Sequence, residues 1–372
     1  MNFDFSDDQK MLKETAGGFL AEHSPLALCR AVLEGDESYS AELWKRAAEL
    51  GWQATTIPEQ YGGAGFGHLE LAVMAEELGT ALAPIPFASS VYLATEALLI
   101  AGSDEQKQRY LPRLASGEAI GCFALAERAG QNDAAGVATR FAGDAVTGKK
   151  TPVLDGDIAD FAVVVAAGDS GPVLAIVELD GTGVARTRLE SIDPSRSFAT
   201  IEFADAAAER LGDAGGGAAL VDRLLNRAAV LVAFEQVGGA TRALEITKSY
   251  VLERYAFGRP IGSFQAVKHT LADRYCDIEL ARSNAYYAAW ALEHDNDELP
   301  VAAALARVAA CHAYDQTTTD MIQLHGGVGF TWEFDCHLFY RRAKLLSAAL
   351  GSARAWKHKL IDRIGNAEVE AA

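Results

Sequence analysis

Apolar residues recur at three- and four-residue spacing from Asp7 to about Ser116, as in Ala41–Gly51 and Leu69–Leu82, and this period predicts amphipathic helices. Ser6-Asp7-Asp8-Gln9 has the form of an N-cap with a Gln three residues on. Gly62-Gly63-Ala64-Gly65 and Pro84-Ile85-Pro86 punctuate the helical run. Near Ala119 the texture changes. Runs rich in Val, Ile, Phe and Thr follow at Ile120–Ala126, Ala135–Arg140, Phe161–Ala166, Val173–Leu179 and Ala199–Phe203, parted by clusters such as Gly143-Asp144 and Gly156-Asp157. That spacing predicts a compact all-β segment with antiparallel connections. Asp213-Ala214-Gly215-Gly216-Gly217 reads as a flexible junction. Beyond it, Ala218–Arg254, Val267–Glu293, Pro300–Leu324 and Glu333–Arg363 are long, periodic and rich in Ala and Leu, with glycine-bearing breaks between them. The expected class is α+β: a helical domain over 1–117, a middle β domain over 118–212, and a helical domain over 218–372.

Composition narrows the function classes. At 372 residues, half of them apolar, the chain can build two or three cores. A net charge of −18 disfavours nucleic-acid or anionic-membrane binding, which need clustered positive charge, but allows a phosphate-bearing ligand in a local basic pocket. The N-terminus lacks a basic stretch followed by an apolar run, and no segment approaches about 20 apolar residues. A soluble, cytoplasmic protein is expected. Cys29, Cys122, Cys276, Cys311 and Cys336 are odd in number and form no C-x-x-C pair, so reduced, packed thiols are expected and no metal site.

Two segments could carry chemistry. In Glu253-Arg254-Tyr255-Ala256-Phe257-Gly258-Arg259-Pro260-Ile261-Gly262-Ser263-Phe264-Gln265, a helix should end near Gly258 and Pro260 should hold the chain out of helix. Arg254 there either meets the helix C-terminal dipole or offers a planar cationic fork to a phosphate, flanked by Phe257 and Gln265. In Gln323-Leu324-His325-Gly326-Gly327-Val328-Gly329-Phe330, the glycines either build a corner between helices or let the backbone approach a ligand. His325, with no partner at metal spacing, reads as a packed or solvated histidine. No nucleophile elbow and no Walker-type loop is present.

Taken in order, these segments resemble the acyl-CoA dehydrogenase family along essentially the whole chain. The resemblance begins at Phe3-Asp4-Phe5-Ser6-Asp7-Asp8-Gln9 and continues through Leu50-Gly51-Trp52, Pro58-Glu59-Gln60-Tyr61-Gly62-Gly63 and Glu76-Glu77-Leu78-Gly79. Tyr110-Leu111-Pro112 and Leu114-Ala115-Ser116-Gly117 follow, and the Arg254–Gln265 and Gln323–Phe330 stretches are the most specific. The resemblance implies a helical N-terminal domain, a middle β-barrel or sandwich and a C-terminal four-helix bundle, in a homo- or hetero-tetramer. It implies FAD as cofactor, an acyl-CoA thioester as substrate and an electron-transfer flavoprotein as electron acceptor. Arg254, Phe257 and Gln265 match the family's phosphate and adenosine contacts; Gln323, Gly326 and Gly327 match the stretch that meets FAD from a neighbouring subunit.

The match fails at the chemistry. The family's carboxylate base stands in a Glu-Gly-Thr-like tripeptide, and this chain has Leu350-Gly351-Ser352 there. The alternative base position, on the first helix of the C-terminal domain, holds Ala228. Ser352 keeps a hydroxyl that could meet the flavin. On the β-domain side the matching positions are Phe123, Leu125-Ala126 and Pro152-Val153-Leu154, so the usual hydroxyls and stacking Trp are gone, while a carboxylate survives at Glu127. Glu235, seven residues beyond Ala228, is a rescue candidate displaced by roughly 10 Å along the helix. The catalytic base is therefore unassigned. Three readings follow: a working flavin enzyme with an unusual base, a non-catalytic partner in a heteromeric dehydrogenase, or a family-fold binding protein without FAD.

Overall fold

Local chemistry sets the first helices. A computed structural model of the chain describes residues 5–213 and 215–370, so Phe3, Asp4 and Ala214 lie outside the described residues. Helix α1 (Asp7–His23) starts in a capping box, in which the Ser6 hydroxyl accepts from Gln9 N at 3.2 Å and the Gln9 side chain accepts from Ser6 N at 3.0 Å. Helices α2 (Leu26–Glu34), α3 (Ala41–Glu49) and α4 (His68–Thr80) follow. A π-helix, Ala88–Thr95, with every residue buried, runs into α5 (Glu96–Ala101), and α6 (Asp104–Ala115) repeats the Ser-x-x-Gln cap with Ser103 and Gln106.

The middle segment forms one eight-stranded sheet from β1 (Gly121–Ala124), β2 (Arg140–Ala142), β3 (Ala145–Leu154), β4 (Phe161–Gly168), β5 (Gly171–Glu178), β6 (Val184–Leu189), β7 (Phe198–Ala207) and β8 (Glu209–Leu211). The order is β6-β7-β3-β2-β4-β5-β8, with β1 also beside β4. The expectation of antiparallel connections needs correction, because β1 and β2 both run parallel to β4. Strands β3 and β6 were not legible as apolar runs. β6 is an edge strand with its middle four residues exposed, and β3 carries Lys149 and Lys150 through its centre. Conversely, most of Ala135–Arg140 is not strand, since the amides of Ala138 and Thr139 donate to the Glu127 carboxylate rather than to a ladder.

The last part is helical: α7 (Gly217–Glu253), a hairpin of β9 (Tyr255–Ala256) and β10 (Arg259–Pro260), α8 (Gln265–Glu293), α9 (Leu299–His325), α10 (Cys336–Ala348) and α11 (Ala353–Glu370). Glu333–Arg363 therefore is not one helix. Leu350 and Gly351 sit at φ +57° and +98°, a left-handed corner that no α-helix can run through.

The chain folds as two compact units, and α7 contributes to both. One unit comprises 1–30, 68–83 and 229–372; the other comprises 31–67 and 84–228. In the first, α4 and α7 touch through reciprocal glycines. A Cβ on Gly79 would lie 1.9 Å from the Glu235 carbonyl oxygen, and one on Gly238 would lie 1.9 Å from that of Glu76. The Glu76 carboxylate, buried there, pairs with Lys13 at 2.9 Å and with Arg282. α10 and α11 both pack on α9. In the second unit, β1 packs on the π-helix, and the Tyr110 ring lies 4.8 Å from that of Phe161. The five cysteines are free thiols, and only Cys276 is exposed. Among the described residues no helix is long and apolar enough to cross a membrane, and no His, Cys, Asp or Glu side chains gather as metal ligands would.

Candidate functional site

Arg254, Phe257 and Gln265 are brought together by the hairpin that joins α7 to α8. Phe257 and Gly258 form its two-residue turn with φ of +54° and +78°, the mirror-image turn that suits the twist of a tight hairpin. Ile261 N donates to Arg254 O at 2.8 Å and closes the base of the loop. Arg254 and Gln265 are both exposed, one on each side, and the Phe257 ring at the tip is 95% exposed. Arg259 lies over the Phe264 ring at 4.1 Å, and Phe257 meets Phe264 edge-on at 6.2 Å. Among the described residues the Arg254 guanidinium is in no ion pair, so an exposed cationic fork stands beside an exposed ring.

Gln323 is exposed in the last turn of α9, and Gly326 ends that helix at φ +64° with its amide donating to Gln323 O. A side-chain carbon added at Gly326 or Gly327 would meet open space, so the backbone here is accessible to a ligand. Gly329 is different: its added carbon would come within 2.5 Å of Ile322 O, which makes it a packing glycine. His325 is packed, as expected. Its ring stacks on Tyr250 at 4.1 Å, its Nδ1 lies 2.7 Å from Met321 O, and burial lowers its pKa.

The corner at Leu350-Gly351-Ser352 is clamped from two sides. Leu350 O accepts from the Trp356 indole at 3.0 Å, and the Ser352 hydroxyl accepts from Ala355 N at 3.2 Å, capping α11. From α9, the fully buried Arg307 guanidinium donates to the carbonyls of Leu346 and Ala349 (the latter at 2.7 Å) and to the Gln236 side chain. Glu235, also buried, lies 3.6 Å from the equally buried Arg342. It is a core carboxylate beside cations, which removes the access a base needs. Ala228 is buried and offers only a methyl group.

The β-sheet unit holds the other assigned positions. Phe123 and Leu125 are buried, Ala126 and Leu154 half-buried and Pro152 exposed. Thr151 N donates to Ala126 O at 2.7 Å, and the fully buried Lys150 ammonium donates to Leu125 O at 3.0 Å and to Glu127 at 2.8 Å. Burial opposes charge on Glu127, but Lys150 and the amides of Ala138 and Thr139 outweigh it and hold the carboxyl at about 2. Burial draws Lys150 down to about 8 against the pull of Glu127. The carboxylate that survives at Glu127 is thus committed to the scaffold, pinning the β1 exit to β3.

For a flavin dinucleotide the fit is uneven. The exposed Arg254 fork, the Phe257 ring and the open Gly326-Gly327 backbone suit the phosphate and adenosine end. At 126 and 154 the side chains supply no hydrogen bond to a flavin ring. Arg307, Lys150 and a buried Glu96–Arg227 pair at 2.7 Å escaped the sequence reading. For Arg307, Glu96 and Arg227 the only signal was a charge inside an otherwise apolar run; Lys150, beside Lys149, gave none.

Family models for the acyl-CoA dehydrogenase N-terminal and C-terminal domains match residues 6–118 and 215–361. The chain is 35% identical, over 94% of its length and 94% of the relative's, to acyl-CoA dehydrogenase IpdE2 of Mycobacterium tuberculosis. A variant of the Tcur3481–Tcur3483 steroid ACAD superposes with a TM-score of 0.89 at 31% identity, covering 98% of this chain and 99% of that one. The ChsE4–ChsE5 complex of M. tuberculosis gives 0.86 at 30% identity, covering 100% and 99%.

Proposed function

The chain belongs to the acyl-CoA dehydrogenase family, and from that footing we propose that it is the base-lacking subunit of a heteromeric, FAD-dependent acyl-CoA dehydrogenase working in the cytoplasm. The observation that carries the reading is the pairing of Leu350 and Ala228 at both base positions with an intact set of nucleotide-end residues. Removing an α-proton from a thioester needs a positioned carboxylate, and neither side chain can take a proton. Bound FAD would supply the hydride acceptor for the acyl β-carbon, with an electron-transfer flavoprotein as the onward acceptor.

In this reading Arg254 holds pyrophosphate charge, Phe257 and Gln265 flank the adenosine, and Gln323, Gly326 and Gly327 serve the cofactor of a neighbouring subunit. Phe123 and Leu125 give an apolar wall, and the Ser352 hydroxyl, which accepts from Ala355 N, still has a proton to donate. A second family member carrying Glu at a base position supplies the proton abstraction. The Tcur3481–Tcur3483 steroid ACAD and the ChsE4–ChsE5 complex among the structural relatives support a mixed tetramer, and the first makes a bulky, steroid-derived acyl group the first substrate class to screen. The burial of Glu235 weighs against the self-sufficient alternative.

The test is the visible spectrum of the chain purified alone, before and after adding FAD, and then after co-expression with a Glu-bearing relative. The expected result is no bound flavin alone and a yellow, active complex with the relative. A chain that holds about one FAD by itself and oxidises acyl-CoAs would overturn the partner assignment.

A further inference from the structure

Helices α7 and α8 are tied together at two levels. Ile261 N donates to Arg254 O at 2.8 Å where the hairpin joins them, and Arg282 donates to Thr241 Oγ1 at 2.9 Å farther along. Between these ties the two helices leave a groove with a cavity of about 400 Å³. Each wall is one face of a helix: Leu244, Lys248 and Val251 come from α7, and Lys268, Leu271 and Tyr275 from α8. The walls run for about two helical turns, or roughly 11 Å. The cavity falls within the range of about 300–1,000 Å³ that small-molecule pockets occupy.

The groove is apolar apart from two cations. Val251 is buried within it, while Leu252 and Tyr275 are 57% and 59% exposed along it. No Asp or Glu lines it, although the chain has 51 acidic residues against 33 basic ones. Other lysines face carboxylates: Lys13 meets Glu76 at 2.9 Å, Lys149 meets Glu202 at 2.8 Å, Lys150 meets Glu127 at 2.8 Å, and Lys344 pairs with Asp315. Lys248 and Lys268, one from each wall, are in no ion pair among the described residues. Two unpaired ammonium groups beside low-dielectric walls give the groove a local positive potential. A plain hydrocarbon leaves both charges unused, a cation is repelled, and a small hydrophilic anion leaves the apolar walls in water. The matching ligand has an apolar body and one anionic head.

The geometry points to a binding site for a free long-chain carboxylic acid. Its hydrocarbon lies between the α7 and α8 walls, and its carboxylate accepts from Lys248 or Lys268. Neither Arg254 nor the Gly326-Gly327 backbone lines this groove, so the site stands apart from the nucleotide-end residues and does not depend on the heteromeric reading above.

The test is titration calorimetry on the full-length chain with dodecanoate, dodecanol and dodecyltrimethylammonium, each held below its micelle-forming concentration. Dodecanoate should bind roughly tenfold more tightly than dodecanol, the worth of one charge-assisted hydrogen bond at a partly open site, and the ammonium probe should bind most weakly. The double variant Lys248→Met, Lys268→Met keeps the apolar bulk of both stems and should remove the difference between acid and alcohol. Lys357→Met, on α11 and outside the groove, should leave that difference intact. Leu252→Asp, at an exposed position, should weaken dodecanoate binding without lowering the melting temperature. Equal affinity for the three probes, a preference that survives the double Met variant, or no binding of dodecanoate would each overturn the site. Sedimentation of the same samples tests the other occupant: if the wild-type chain self-associates and Leu252→Asp returns it to a monomer, a second copy fills the groove and the acid site is overturned.

Discussion

Replacing Arg307 by Met tests whether one buried cation holds the corner at Leu350-Gly351. The guanidinium is wholly buried and donates to three acceptors: the Gln236 side chain and the carbonyls of Leu346 and Ala349. Left unpaired, each acceptor costs about 1–3 kcal/mol. Against that gross loss stands the relief of not burying a cation, several kcal/mol in itself. Breaking a buried, hydrogen-bonded charge site from one side nets about 3–5 kcal/mol of destabilisation. At roughly 2–4 °C per kcal/mol for a domain of this size, the melting temperature should fall on the order of 10 °C. The loss should also be local. Hydrogen exchange should rise first at the Ala349 amide, which donates to Leu345 O at 2.9 Å in the last turn of α10. Arg307→Lys should fall between, because a point ammonium cannot serve three acceptors in the plane of a fork. A Met variant melting within about 2 °C of wild type, or one with unchanged exchange at 345–352, would refute the clamp.

Gly79→Ala should destabilise by about 1–3 kcal/mol or more, read as a drop in urea midpoint, since its methyl would collide with the Glu235 carbonyl at 1.9 Å. Gly18→Ala, which would meet open space in α1, is its control. Glu77, raised to about 7 chiefly by burial, disfavours the folded state once ionised, so wild-type stability should fall as pH rises from about 4.5 through 7; Glu77→Gln should flatten that slope in pH-dependent melts. Glu127, held at about 2, has the opposite sign: its contribution is complete above about 4.5 and disappears as pH falls toward 2, so the Glu127→Gln deficit in urea midpoint should be largest at pH 7 and shrink at pH 3. Phe257→Ala should leave the melting temperature of the lone chain unchanged, as a 95% exposed ring contributes little to its core, while lowering FAD retention in the assembled enzyme measured by absorbance.

Periodicity located the long helices to within a few residues, because α4, α7, α8 and α9 each carry a continuous repeat, ended by Gly or Pro signals in α4, α7 and α9. It failed where backbone geometry or charge outweighed the repeat. Leu350 occupies a left-handed conformation that propensity assigns to Gly or Asn, so the α10–α11 break was invisible. β3 and β6 carry Lys and Arg that read as loop, although Lys150 is fully buried against Glu127. The grouping of Arg254 and Phe257 on one loop was legible because they sit in one short stretch of chain. The pairs Arg307–Gln236 and Glu96–Arg227 were not, since their members are far apart in sequence and meet only after folding.

The way the two units draw on the chain bears on how the protein is made. The sheet-containing unit ends at Ala228, so all of its residues have been synthesised while Ala229–Ala372 is still to come. At about 5–20 residues per second, that wait lasts on the order of ten seconds. During it α1 and α4 have emerged without the C-terminal helices, and the glycine face of α4 at Gly79 has no counterpart in Gly238. Translation thus imposes an order of completion opposite to the order in which the two units first appear in the sequence. The early helices must be sheltered or remain unpacked until the later helices of their own unit have emerged.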